Sequence, residues 1–163
     1  MDQIAASAEI SRATIYQHFA GKPPLLEALL VEDWEGQVTL FARLINESRP
    51  HQAMAINTWL FRVVEGMRRA SGSFAIYRYV LGQGERGPAL YRAHQDRLAA
   101  LLREAVVGKA SNRDPVRDRV ESSMIIAEID FLGLSALSHW SVTEVEAAVS
   151  IITQRIMGMA DTA

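Results

Sequence analysis

Apolar residues recur at helical spacing along almost the whole chain, and this periodicity constrains the fold more than any other feature. Alternating β-branched runs bounded by turn residues are missing, so the chain reads as all-α. Helices are predicted over 2–8, 12–18, 24–47, 52–70, 74–81, 89–107, 115–138 and 143–159. The breaks between them carry turn chemistry: Ala20-Gly21-Lys22, Arg49-Pro50, the SGS at 71–73, the GQGERGP at 82–88, and 107–112. Ser11 is placed as an N-cap, and Asp114-Pro115 reads as a cap followed by a first-turn proline. Thr143 and Glu146 have the spacing of a capping box.

With 163 residues, 49% of them apolar and 22% charged, the chain can bury a continuous core. The absence of cysteine excludes disulfides, thiol catalysis and cysteine-based zinc sites, and it suits a reducing cytoplasm. No apolar run reaches membrane-spanning length, so no membrane partner is expected. A net charge of −2 argues against broad, charge-driven nucleic-acid binding and leaves a small DNA-reading head open.

The last two helices are the most apolar. Ile125, Ile126, Ile129, Phe131, Leu132, Leu134 and Leu137 cover more than one face of the first. Val145, Ala148, Val149, Ile152, Ile156 and Met157 stripe the second. Such a surface can serve the chain's own core, a second subunit in a four-helix interface, or both. Ile125, Ile129, Leu132, Val149, Ile152 and Ile156 are the candidate homodimer contacts.

Near the start, two short helices separated by a three-residue turn have helix-turn-helix spacing, with Ile4, Ala5, Ala8, Ile10 and Ile15 suited to a close crossing. Ser11, Arg12, Ala13, Thr14, Tyr16, Gln17, His18 and Lys22 are the candidate DNA contacts. Arg and Gln can bond base edges, Thr and Ala can meet a thymine methyl, and Tyr, His and Lys can reach phosphates.

The stretch ISRATIYQHFAGKPPLLEAL resembles the hallmark of the TetR (tetracycline-repressor-like) family. Ser11, Thr14, Ile15, Tyr16, His18, Phe19, Lys22 and Leu25-Leu26 fall in that family's register, over about 30 residues. The resemblance implies a recognition helix from Ser11 to His18, phosphate contacts from Tyr16 and Lys22, and Phe19 packed inside the head. It further implies an N-terminal helix-turn-helix head on a helical-bundle regulatory domain, with double-stranded palindromic DNA, a homodimer partner and a small hydrophobic effector. The expected division is a head with its connecting helix over 1–46 and a ligand-binding and dimerisation domain over 47–163.

Two departures from the family pattern carry expectations. The chain opens at Met1 already inside what would be the second helix, so the head is expected to lack its first helix and to leave Ile4, Ile15 and Phe19 poorly covered. Glu9 stands where the family has glycine, so a left-handed backbone there would be strained, and its charge would oppose phosphates.

For the effector pocket the candidates are Trp59, Phe74, Tyr77 and Met124. Catalysis has no comparable signature. His18, His51, His94 and His139 are scattered, Glu128 and Asp130 point to different faces, and G-x-S-x-G, H-E-x-x-H and phosphate-loop motifs are missing. The expected protein is a non-enzymatic, ligand-responsive transcriptional regulator, most simply a repressor, that needs no cofactor. The alternative is an all-helical small-molecule-binding or scaffold protein whose degenerate head does not bind DNA.

Overall fold

The computed structural model describes residues 1–47, 52–69, 73–82, 84–107 and 114–161. They form eight helices: α1 (Asp2–Ser7), α2 (Arg12–His18), α3 (Lys22–Glu47), α4 (Ala53–Arg69), α5 (Ser73–Leu81), α6 (Arg86–Val106), α7 (Pro115–Ser138) and α8 (Val142–Asp161). The fold is all-α, a three-helix head followed by a five-helix bundle. The predicted breaks at Arg49-Pro50, Ser71-Gly72 and 108–112 lie outside the described residues.

Local chemistry sets the helix ends. The Asp114 carboxylate accepts from the Val116 amide at 2.9 Å, and Pro115 follows in the first turn, where a missing amide costs nothing. At α8 the predicted box is displaced by two residues. The Ser141 hydroxyl accepts from the Glu144 amide at 3.3 Å, and the Glu144 carboxylate accepts from the Ser141 amide at 2.7 Å. Thr143 is already helical. The loop predicted over 82–88 is also shorter, because α6 starts at Arg86. There Gly87 lets α6 touch α5, since a Cβ at this position would collide with the Val80 carbonyl.

Three apolar clusters hold the chain together. Ala5, Ile15 and Leu25 form the small core of the head, flanked by Met1 and Phe19. Leu30, Trp34 and Val80 join α3 to α5, with Leu26, Ile76, Tyr77, Leu90 and Tyr91 around them. The main core draws on α4, α6, α7, α8 and the later part of α3. Trp59 belongs to it: its indole donates to the Leu40 carbonyl at 3.1 Å and meets Phe41 edge-on. Leu29, Met54 and Phe61 are exposed.

The expected dimer contacts need correction. Ile125, Ile129, Leu132, Val149, Ile152 and Ile156 are each at most 4% exposed and are packed within the chain's own core. The opposite side of α7 carries the exposed apolar residues Val116, Val120, Met124, Phe131 and Leu134, and α8 adds Ile151. α7 is therefore apolar on two faces, and the inner one is spent on the monomer.

Candidate functional site

In the head, α1 and α2 are joined by Ala8, Glu9 and Ile10. The Glu9 amide bonds the Ala6 carbonyl at 3.3 Å and the Ile10 amide bonds the Ala5 carbonyl at 3.1 Å. This is a Schellman ending, and Glu9 occupies its left-handed position at φ +54°. The strain expected at Glu9 is present. Ser11 then caps α2: its hydroxyl accepts from the Thr14 amide at 3.0 Å and lies 2.8 Å from the Thr14 hydroxyl.

That cap fixes which side of α2 faces inward. Ile15 is buried against Ala5 and Leu25, and Phe19 is half-buried beside them. Ser11, Arg12, Ala13, Tyr16, Gln17, His18 and Lys22 are exposed, and Thr14 is half-buried. The Arg12 guanidinium pairs with Asp2 at 2.8 Å on the surface. The Lys22 ammonium lies 5.7 Å from the centre of the Tyr79 ring on α5. Both contacts are solvent-exposed and worth about 1 kcal/mol or less, so either can yield to a stronger anion.

The body holds a cavity of about 90 Å³ between α3, α4, α5, α6 and α7. Leu30, Met67, Leu134 and Leu137 supply apolar wall, and Trp34, Tyr77 and Tyr91 supply rings. Met67 reaches the wall because α7 has Gly133 opposite it, where a Cβ would run into the Met67 sulfur. Trp34 stacks on His94 with centroids 4.5 Å apart, and Tyr77 meets Tyr91 edge-on at 5.4 Å.

Two hydrogen-bond chains line the cavity, and each reaches a carboxylate. The Tyr91 hydroxyl donates to Asp130 Oδ2 at 2.8 Å, and the Gln95 amide donates to the same oxygen at 2.6 Å. On the other side, His94 Nε2 donates to Gln37 Oε1 at 3.1 Å, and the Gln37 amide reaches Asp33 Oδ2 at 3.4 Å. Burial raises the Asp130 pKa, against the pull of its two donors. Burial, helped by the charge of Arg97, lowers His94 to about 4 and keeps the ring neutral. Burial and the Asp130 charge push the Tyr91 phenol well above its usual range.

Of the four expected pocket residues, only Tyr77 lines this cavity. Trp59 is in the main core, Met124 is exposed on α7, and the side chain of Phe74 lies outside those described. The residues missed are Trp34, Gln37, His94, Gln95 and Asp130. Their signal was available in part: Trp34 and Gln37, and Tyr91, His94 and Gln95, recur at one-turn spacing on their helices. Asp130 interrupts an apolar run between Ile129 and Phe131.

A capped helix with an exposed polar side, joined through a tight turn to a second short helix and mounted on a helical body, defines the helix-turn-helix class. Residues 1–29 match the family model described as bacterial regulatory proteins, tetR family. The matched segment covers α1, α2 and the start of α3, so the expectation of a head lacking its first helix is corrected: all three helices are in place. Of the three residues expected to be poorly covered, Ile15 is 4% exposed, Phe19 is half-buried and Ile4 is exposed at 37%. The match is to a regulatory family, which agrees with a non-enzymatic protein. No curated protein and no solved structure matches the chain. Among the described residues, no group of histidine, aspartate and glutamate could hold a metal ion, and no helix is long and apolar enough to cross a membrane.

Proposed function

We propose that the chain is a ligand-responsive, one-component transcriptional regulator acting in the cytoplasm, a repressor in its simplest form. Residues 1–46 serve as the DNA-binding head with its connecting helix, and residues 47–163 as the ligand-binding and dimerisation domain. The observation that carries this reading is the outer side of α2, where Arg12, Tyr16, Gln17 and His18 stand exposed on a segment matched to a regulatory family. Arg12 and Gln17 read base edges in the major groove, with Ala13 and Thr14 against thymine methyls. Ser11, Tyr16, His18 and Lys22 hold the backbone.

A base contact by Arg12 is worth about 1–3 kcal/mol, more than its surface pair with Asp2, so the pair does not block recognition. Two copies meet along the exposed stripe of Val116, Val120, Met124, Phe131 and Leu134, which leads to a palindromic operator. A small effector in the cavity favours a head spacing that no longer fits that operator. Glu9 and the Asp2–Arg12 pair favour a second reading, a helical ligand-binding or scaffold protein that leaves DNA alone.

Retardation of palindromic fragments from the gene's own upstream region, measured across a salt series, separates the two readings. Expected is a salt-dependent shift that Arg12→Ala weakens by about 1–3 kcal/mol and Lys22→Ala weakens with a shallower salt slope. A wild-type shift unchanged in Arg12→Ala and Tyr16→Ala, or no shift at all, overturns the regulator reading.

A further inference from the structure

Both hydrogen-bond chains at the cavity reach a carboxylate, and no lysine or arginine lines it among the described residues. At Asp130 both donors, Tyr91 and Gln95, are neutral and both fall on Oδ2. Oδ1 takes part in neither bond, and Asp130 lines the cavity. A carboxylate drawn out of water by apolar walls and held only by neutral donors keeps an uncompensated charge. Around it stand Trp34, Tyr77 and Tyr91, whose ring faces attract cations. The histidine in the cavity wall, His94, is occupied with Gln37 and stays neutral, so it does not supply the missing charge.

From this arrangement we infer that the cavity takes a small organic cation, an amine with an apolar or aromatic body, whose ammonium pairs with Asp130 Oδ1 while its body lies against Trp34 and Tyr91. The inference rests on the reading of the cavity as the effector site and narrows it from any hydrophobic molecule to a protonated amine. An acid is disfavoured by the same charges, because it would bring a second anion beside Asp130. A neutral alcohol fits the walls and forgoes the ion pair.

The test uses the full chain and three probes of one shape: benzylamine, benzyl alcohol and benzoate, each titrated at neutral pH with the Trp34 indole and Tyr91 resonances followed by NMR. Expected is benzylamine binding at least about tenfold more tightly than benzyl alcohol, with benzoate the weakest. In Asp130→Asn the amine loses that advantage, while benzyl alcohol keeps its affinity within about twofold. Equal binding of amine and alcohol by the wild-type chain overturns the cation and leaves the effector cavity standing. Failure of all three probes to move either set of resonances overturns the cavity reading together with the inference. The wild-type ratio of amine to alcohol decides the matter even where Asp130→Asn does not fold.

Discussion

Replacing Glu9 with glycine should stiffen the head. The left-handed conformation at φ +54° costs a residue with a Cβ about 1–2 kcal/mol, and glycine is free of that cost. Glycine also gives the unfolded chain more freedom, which returns about 0.4–1 kcal/mol. The Schellman bonds from the Glu9 and Ile10 amides need only the backbone, so the substitution leaves them intact. The net gain is about 0.5–1 kcal/mol, and it falls on the local opening of α1 against α2. Amide hydrogen exchange reads that opening directly at Ile10, Ile15 and Phe19, whose amides bond Ala5, Ser11 and Ile15 carbonyls. Exchange at these three sites should slow by about two- to fivefold in Glu9→Gly. The decisive control is Glu9→Ala, which removes the same charge and keeps a Cβ. If Glu9→Ala slows exchange as much as Glu9→Gly, the effect is electrostatic and the backbone argument is wrong. Faster exchange in Glu9→Gly refutes it outright.

Two further predictions concern the body. His94 has a folded pKa of about 4 against 6.5 when free, so as pH falls the unfolded chain binds this proton first. Its contribution to stability is therefore complete above about pH 6.5 and is lost down to about pH 4, by up to about 3 kcal/mol. Urea midpoints of wild type and His94→Gln should converge across this window, and parallel curves would refute the assignment. On α7, Met124→Glu should turn a dimer into a monomer by light scattering while shifting Tm by only a few degrees, because the side chain is 51% exposed. An unchanged mass would remove the outer stripe of α7 from the interface.

The helices were legible because turn chemistry and periodicity agree along the chain. Asp114-Pro115 marked the start of α7 to the residue, and Ser11 marked the cap of α2. The start of α8 was misplaced because two overlapping patterns, Ser141 with Glu144 and Thr143 with Glu146, have the same spacing, and only the backbone chooses between them. The faces of α7 were misassigned for a related reason. Isoleucines, leucines, Phe131 and Met124 surround the helix, and periodicity cannot rank two apolar faces by depth when both are continuous. The inward side of α2 was the easier case, since Ile15 is the single large aliphatic residue inside that short helix. The cavity was hard because its polar residues come from α3, α5, α6 and α7, and the pattern of any single helix does not bring them together.

The same geometry shows why α3 matters to both ends of the proposed regulator. Leu25 anchors the core of the head, and Trp34 and Gln37 face the cavity, all on one uninterrupted helix. Nine residues separate Leu25 from Trp34, about 14 Å at helical rise, with no proline between them. Beside that span, Glu27 pairs with Arg86 at 2.7 Å and Glu35 with Arg97, which brace α3 against α6. Exposed pairs of this kind are worth about 1 kcal/mol or less each. A cation bound at Asp130 and against Trp34 touches α7 and α3 together, and a differential affinity of about 1–3 kcal/mol between two placements of α3 is the usual size of a coupling between sites. Two such braces together are no larger than a coupling of that size, so the proposed ligand could overcome them. In the proposed regulator a displacement of α3 would reach Leu25, where the head's core of Ala5, Ile15 and Leu25 offers little apolar surface to resist it.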